Sequence, residues 1–220
     1  GAILNSVEDN AGGTVTVSSS AEAGQVVTIT LNGNNYEGTM SGSNAIVNIP
    51  AAGLQGLTNG QSYSVVANVS DAAGNAATPV TSASFLVDTS TPSISAIGTS
   101  AFSWGAILNR LETHDATTGN YLNGTVTVNT VGVETGQIVT IRFVSANGTN
   151  VGGTYTGQVS NNVGTTITVG FGSLTTGQSY SVVANVSDAN GNPATPVTSS
   201  TFLVDTTAPS ISAIGTSAFS

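Results

Sequence analysis

The chain has 220 residues, with 2 basic and 11 acidic side chains, a net charge of −9 and no cysteine. Charged residues make up 6% of it, against about 25% in an ordinary globular domain, so Ser, Thr, Asn and Gly must wet the surface and the expected class is all-β. This composition excludes a disulfide framework, thiolate metal sites and a cysteine nucleophile. With Arg110 and Arg142 as its only cations, it leaves nothing to neutralise a phosphate backbone, so no nucleic acid is expected as a partner.

Two stretches recur. GAILN stands at Gly1–Asn5 and again at Gly105–Asn109, and PSISAIGTSAFS stands at Pro92–Ser103 and again at Pro209–Ser220. The offset between the copies is 104 at Gly105, 111 at Thr125, 112 at Gly136 and 117 at Tyr180 and Asp205, so the second copy gains residues in three places, expected to be loops. Units of this size, about 100 residues, are too long for solenoid repeats and match one small domain each. The expected organisation is repeat 1 at 1–91, lacking its first strand, repeat 2 at 92–208, and the first strand of a following repeat at 209–220. Cut inside its unit, the chain reads as an excerpt from a longer array, so the lack of a signal segment is uninformative. No apolar run approaches the ~18 residues of a membrane span, so no membrane insertion is expected.

In chain order, Ser6–Gly13 carries turn signals, and Gly13–Ser20 then alternates with Val15 and Val17 on one face, the period of a half-buried strand. Gln25–Gly33 places Val27, Ile29 and Leu31 inward and ends on Asn32-Gly33, a hairpin signal. Asn35–Gly42 alternates weakly, and Ala45–Pro50 is a strand stopped by proline. Leu57, Gly60 and Tyr63 stand as L-x-x-G-x-x-Y before an alternating strand, and Leu174, Gly177 and Tyr180 repeat the pattern. This spacing suits a tyrosine corner, where the phenol bonds to backbone; the plainer reading is a core tyrosine beside a turn. Thr78–Thr89 supplies the last strand, with Ala83, Phe85 and Val87 inward. In the second copy the expected strands are 93–98, 124–128, 137–143, 154–160, 166–171, 179–187 and 198–204. Seven short antiparallel strands per repeat predict two tandem immunoglobulin-like Greek-key sandwiches without a disulfide. Trp104 falls between the first and second strands, away from its antibody position in the third.

The acids fall at matched loop positions. Glu22 and Glu134 precede the third strand, Asp71 and Asp188 follow the sixth, Glu8 and Glu112 follow GAILN, and Asp88 and Asp205 end the seventh. In a sandwich of this order, Glu8 and Asp88 of one repeat are expected to face Glu134 and Asp188 of the next. Four converging carboxylates repel unless a cation binds, and oxygen-only donors with neighbouring Asn suit structural calcium, whereas zinc or copper calls for His or Cys. A cation held there would turn a flexible string into a stiff rod. The plainer reading is solvated turn acids.

His114 is the single imidazole and lies in an insertion of the second copy, Arg110–Gly124, with no counterpart in the first, so no catalytic constellation forms and no enzyme is expected. Arg110, His114, Asp115 and Tyr121 of that insertion are expected to gather at one end of the repeat, where they would suit a glycan or protein receptor; a tolerated surface insertion is the alternative. A third reading has Pro209–Ser220 complete the first repeat of a neighbouring copy, building an extracellular filament by strand addition.

The ordered motifs AILN-x-x-E, AEAGQ-V-x-T-I-T-L-N-G, N-I-P-A-A-G-L-x-x-L-x-x-G-x-S-Y, V-S-D-A-A-G-N and F-x-V-D-T-x-x-P resemble the tandem bacterial Ig-like extender repeats of giant RTX and biofilm surface adhesins. The resemblance implies an extracellular, cell-surface protein exported by a type I system, whose calcium-stiffened sandwiches hold an adhesive domain away from the bacterium. Their partners would be the neighbouring repeats. It also implies interdomain calcium ligands at Asn5, Glu8 and Asp88 with Asp188, and at Asn109, Glu112 and Asp205; Glu134 comes from strand geometry alone. The chain departs from the family pattern at Ser103, Trp104 and Gly105, where many members carry acids.

Overall fold

The computed structural model describes residues 2–160 and 164–212. It divides into two compact units: unit 1 comprises Gly1–Thr91 and Asp188–Pro193, and unit 2 comprises Pro92–Ser187 and Ala194–Ser220. Strands dominate both, no cysteine is present, and the fold is Ig-like.

Unit 1 runs β1 (Ala2–Asn5), α1 (Ser6–Ala11), β2 (Gly13–Ser18), β3 (Val26–Leu31), β4 (Asn34–Thr39), β5 (Asn44–Ile49), α2 (Ala51–Gln55), β6 (Ser62–Tyr63), β7 (Val66–Val69), β8 (Val80–Thr81) and β9 (Phe85–Asp88). Its sheets are ordered β4-β3-β7-β8, β1-β9-β6 and β2-β5. The Asn32-Gly33 signal makes a two-residue hairpin between β3 and β4, with φ of 46° and 78°, the left-handed pair that a tightly twisted hairpin turn requires. Val27, Ile29 and Leu31 point inward as their alternation predicts, and pack with Val47, Val87 and Met40.

GAILN is more than an apolar start. Ala2–Asn5 pairs in parallel with β9, from Ala2 opposite Phe85 to Asn5 opposite Asp88. The segment after it, expected as a turn, is α1, because Asn5 and Glu8 cap a first helical turn.

Unit 2 runs β10 (Ser93–Ile94), β11 (Ile107–Asn109), α3 (Arg110–Thr113), β12 (Asn123–Val128), β13 (Thr130–Val131), β14 (Ile138–Ser145), β15 (Asn150–Gln158), β16 (Thr165–Gly170), β17 (Ser179–Asn185), β18 (Val197–Thr198) and β19 (Phe202–Asp205). The order β11-β19-β17-β14-β15 forms its main sheet, with β18 also on β17, while β12-β16 and β10-β13 pair separately. β11 lies parallel to β19, repeating the arrangement of GAILN in unit 1. The strands subdivide differently from a plain seven per repeat: β17 is continuous, whereas its counterpart is split into β6 and β7. Some inserted residues lengthen strands instead of loops, since β14 and β15 form a longer hairpin than β3 and β4, with a register shift between Arg142 and Phe143.

Trp104 belongs to the core of unit 2. It is 5% exposed, stacks on Phe102 at 4.9 Å between ring centroids, and meets Phe171 and Phe202 edge-on at 5.0 and 5.3 Å. Both L-x-x-G-x-x-Y motifs close as the corner reading predicts: the Tyr63 hydroxyl accepts from the Thr58 N–H and the Tyr180 hydroxyl from the Thr175 N–H, each at 3.0 Å. Of the strand expected at 209–220, residues 209–212 form no strand and 213–220 lie outside the described residues.

Candidate functional site

Asn-x-x-Glu occurs after each GAILN strand and acts first as a helix cap. The Asn5 Oδ1 accepts from the N–H groups of Val7 and Glu8, both at 3.0 Å, and the Asn5 N–H donates to Glu8 Oε2 at 3.1 Å. Asn109 and Glu112 repeat this box at 2.9, 3.2 and 2.9 Å. Such reciprocal capping satisfies helix donors that would otherwise lack partners. This capping role is legible in the Asn-x-x-Glu spacing itself.

Asp71 and Asp188 also act locally first. In the D-x-x-G-N loops each carboxylate gathers the N–H groups that follow it: Asp71 accepts from Ala73 at 3.0 Å and Asn75 at 2.7 Å, and Asp188 from Asn190 at 3.0 Å and Asn192 at 2.8 Å. The amide of the closing Asn donates to the second carboxylate oxygen at 2.9 Å in both. Bonds from the Asn75 side chain and backbone hold the Asp71 carboxyl below the usual carboxylate range. Glu22 reaches the same loop of unit 1, accepting from the Ala72 N–H at 2.9 Å.

Within unit 1, the loop Asp188–Pro193 joins Asn5, Ser6 and Asp88 in a polar cluster. Asn190 Nδ2 donates to Asp88 Oδ2 at 2.5 Å, Asn192 Nδ2 to the Asp88 carbonyl at 2.9 Å, Asn5 Nδ2 to the Asn190 carbonyl at 3.2 Å, and the Ser6 N–H to Asn192 Oδ1 at 2.7 Å. Asp188 is 5% exposed and Asn192 fully buried. The sequence reading paired Asp88 with Asp188 but missed Asn190 and Asn192, whose role needed the loop's docking to be seen.

The donor chemistry of this cluster is carboxylate, amide and backbone carbonyl oxygen, which fits a hard divalent cation. An asparagine presents oxygen in place of nitrogen after a half turn of its amide, so Asn190 and Asn192 have donors to offer. Among the described residues, however, no three acidic or histidine side chains come together. Glu134 and Asp205 are exposed, and Asp205 accepts from the Thr207 N–H at 3.1 Å just as Asp88 accepts from the Ser90 N–H at the same distance.

In the inserted loop of unit 2, Arg110, His114 and Asp115 line a shallow hollow of about 650 Å³ with Leu111 and Thr206. The His114 ring lies 4.4 Å from that of Tyr121, and the two residues bridge as backbone partners. Bonds from Thr118 and Thr117 hold Asp115 below the usual carboxylate range. Among the described residues, no helix is long and apolar enough to cross a membrane.

Residues 164–219 match the family Bacterial Ig-like domain (group 3). No curated protein matches the chain. Among solved structures, the chain is similar to a Ca2+-stabilized adhesin that helps an Antarctic bacterium reach out and bind ice, at 25% identity and a TM-score of 0.54, over 94% of this chain and 47% of that one. It also matches a bacterial ice-binding adhesin at 26% identity and a TM-score of 0.48, over 93% and 61% of the two chains. A tetra-tandem repeat from the extending region of a large adhesion protein matches at 22% identity and a TM-score of 0.35, over 91% and 48%. The chain thus spans about half to three fifths of these structures. Residues 164–219 thus match an Ig-like family, and the chain is similar in fold to an adhesin, the first of these structures.

Proposed function

We propose that the chain is a non-catalytic spacer from a large bacterial cell-surface adhesin, whose tandem repeats stiffen when calcium binds. The observation that carries this reading is the carboxylate and amide cluster of Asp88, Asp188, Asn5, Asn190 and Asn192 on an Ig-like framework similar to a Ca2+-stabilized adhesin. Asp88 and Asp188 would supply the charge, with asparagine and backbone oxygens completing the six to eight donors calcium takes. Glu8 belongs to the same proposed set, and Asn109, Glu112, Glu134 and Asp205 to equivalent sites along an array. Bound calcium would add only charge neutralisation and rigidity. The chain's own residues already position the loop by hydrogen bonds.

Small-angle X-ray scattering of the full chain in millimolar calcium and then in excess chelator, alongside thermal melts, tests the proposal. Calcium is expected to lengthen and sharpen the particle and raise the melting temperature, and Asp88→Ala to abolish both responses. A particle indifferent to calcium in shape and stability would sink the proposal.

A second reading is favoured by the hollow around Arg110, His114 and Asp115, with Tyr121 against the imidazole. Aromatic and polar groups so grouped suit a sugar or a peptide. A glycan array probed with the full chain and with a deletion of residues 110–124 reads this directly. Specific binding lost on deletion supports recognition, and identical profiles reject it.

A further inference from the structure

Four Asn-x-Ser/Thr triplets occur in the chain, beginning at Asn68, Asn123, Asn147 and Asn185. Such a triplet accepts an N-linked sugar where the backbone around it is exposed. In a chain this rich in Asn, Ser and Thr the triplet also arises by chance, so the fold has to discriminate among the four.

Three of them lie in strand ladders. Asn68 is inside β7 opposite Thr28, and Asn185 ends β17 opposite Thr140, with buried Val186 as the middle residue of its triplet. Asn123 opens β12 opposite Gly170. Its middle residue, Gly124, has no room for a Cβ beside the Phe171 and Trp104 rings, and the Thr125 N–H is already bonded to Ser103 Oγ at 2.9 Å. A sugar-transferring enzyme must grip the triplet in its own cleft, and these three reach one only by breaking strand pairs.

Asn147 stands instead at the tip of the β14-β15 hairpin, where residues 146–150 are all exposed. The turn is closed beneath it: the Ser145 N–H donates to the Thr149 carbonyl at 2.9 Å and the Gly148 N–H to the Ser145 carbonyl at 2.8 Å. Asn147 Oδ1 accepts from the Ser145 hydroxyl at 2.6 Å and from the Thr149 N–H at 3.2 Å, the latter an Asx turn, so the side chain is held by its oxygen. Among the described residues, no bond is made by its Nδ2, the atom that takes a sugar, or by the Thr149 hydroxyl. A Cβ on Gly148 would meet nothing within 4 Å, so the space around the tip is open. The matching turn of unit 1, Asn32-Gly33, is exposed as well but continues with Asn34 where the triplet needs Ser or Thr.

We propose that Asn147 is a site of N-linked glycosylation, its donor a sugar activated as a glycosyl phosphate. In the transfer a bond forms between Nδ2 and the anomeric carbon, and the bond from that carbon to the phosphate oxygen breaks. The electron pair leaves with the phosphate, and Nδ2 gives up one proton to a base of the transferase. The sugar extends into solvent from a turn that buries nothing, and hydrates a surface that is poor in charge.

The test is peptide mapping by mass spectrometry of the protein taken from the surface of the cell that makes it, with fragmentation that keeps sugars attached. Sugar is expected on the peptide containing Asn147 and not on those containing Asn68, Asn123 or Asn185. A ladder of single-sugar masses marks a nucleotide-activated donor, and one fixed oligosaccharide mass marks a lipid-linked one. Expressed in the same cell, Thr149→Ser should keep the adduct. Thr149→Ala should lose it with an unchanged circular dichroism spectrum, which separates loss of the acceptor from loss of the fold. Unmodified Asn147 in the surface protein overturns the proposal. So does an adduct that survives Thr149→Ala, or sugar on Asn68 and Asn185 to the same extent as on Asn147.

Discussion

Unit 1 and unit 2 share a sequence pattern but differ in how completely they bury it. Phe202 is 1% exposed and sits among the rings of Phe102, Trp104, Phe143 and Tyr180, whereas its counterpart Phe85 is half-buried and, among the described residues, has ring contact with Tyr63 alone, at 6.3 Å. Val126 and Val128 are fully buried; Val15 and Val17 are not. The residues at these matched places are the same or nearly so. What differs is the segment Pro92–Trp104, whose Ile94, Ile97, Phe102 and Trp104 close the core of unit 2. Alternation fixes which side chains face inward, but the depth at which they end up depends on what lies across from them.

The largest expected contrast is at the matched phenylalanines. Phe202→Ala should cost about 3–5 kcal/mol, the range for deleting a buried aromatic. Phe85→Ala should cost about 1–2 kcal/mol, because much of that ring is already in water. Denaturant melts followed by circular dichroism and by the fluorescence of Trp104, which reports on unit 2 alone, separate the two. Equal losses would break the comparison.

A smaller contrast is expected at matched glycines. A Cβ on Gly124 would stand 2.3 Å from the Phe171 ring and 2.7 Å from that of Trp104, while one on Gly13 would stand 3.6 Å from Leu54, an ordinary contact. Gly124→Ala should therefore destabilise unit 2 by about 1–3 kcal/mol through overpacking. Gly13→Ala should leave the melt of unit 1 within about 0.5 kcal/mol of its starting value.

The smallest effect concerns pH. The carboxyl of Asp71 has a folded pKa below its ordinary value, so its contribution to stability is present above the unfolded pKa and is lost as pH falls through the folded one. The loop Asp71–Asn75 should thus open only in acid below the usual carboxylate range. Asp71→Asn should flatten that acid response, and side-chain chemical shifts of Asn75 against pH would show it. Asn75 shifts that follow an ordinary carboxylate titration would argue against the loop's bonds acting on Asp71.

Much of this was legible before the structure. The Asn32-Gly33 turn, the inward set of β3 and the two tyrosine corners follow from turn chemistry and spacing, which act within a few residues. The partnership of GAILN with the last strand was not legible, because four residues are too few for a period to show and a parallel partner lies some eighty residues away. The burial of Trp104 between two strands is likewise illegible, since nothing local says that a neighbouring glycine, Gly124, leaves room for its ring. At the candidate site, Asp88 and Asp188 were placed by counting strands. Asn190 and Asn192 were missed because amides are abundant here, and only the docked loop singles two of them out.

The parallel pairing of β1 with β9 and of β11 with β19 has a consequence when a unit is held under tension. Near one end of each unit the incoming GAILN strand runs beside the outgoing last strand in the same direction, through four matched residues in unit 1 and three in unit 2. A pull on the two ends draws these neighbours past one another lengthwise, so their evenly spaced bonds bear the load together and must rupture as a set. An antiparallel pair pulled at its open end would peel one bond at a time. Each unit therefore meets tension in shear at this pair, with Ala2–Asn5 serving as the latch in unit 1 and Ile107–Asn109 in unit 2.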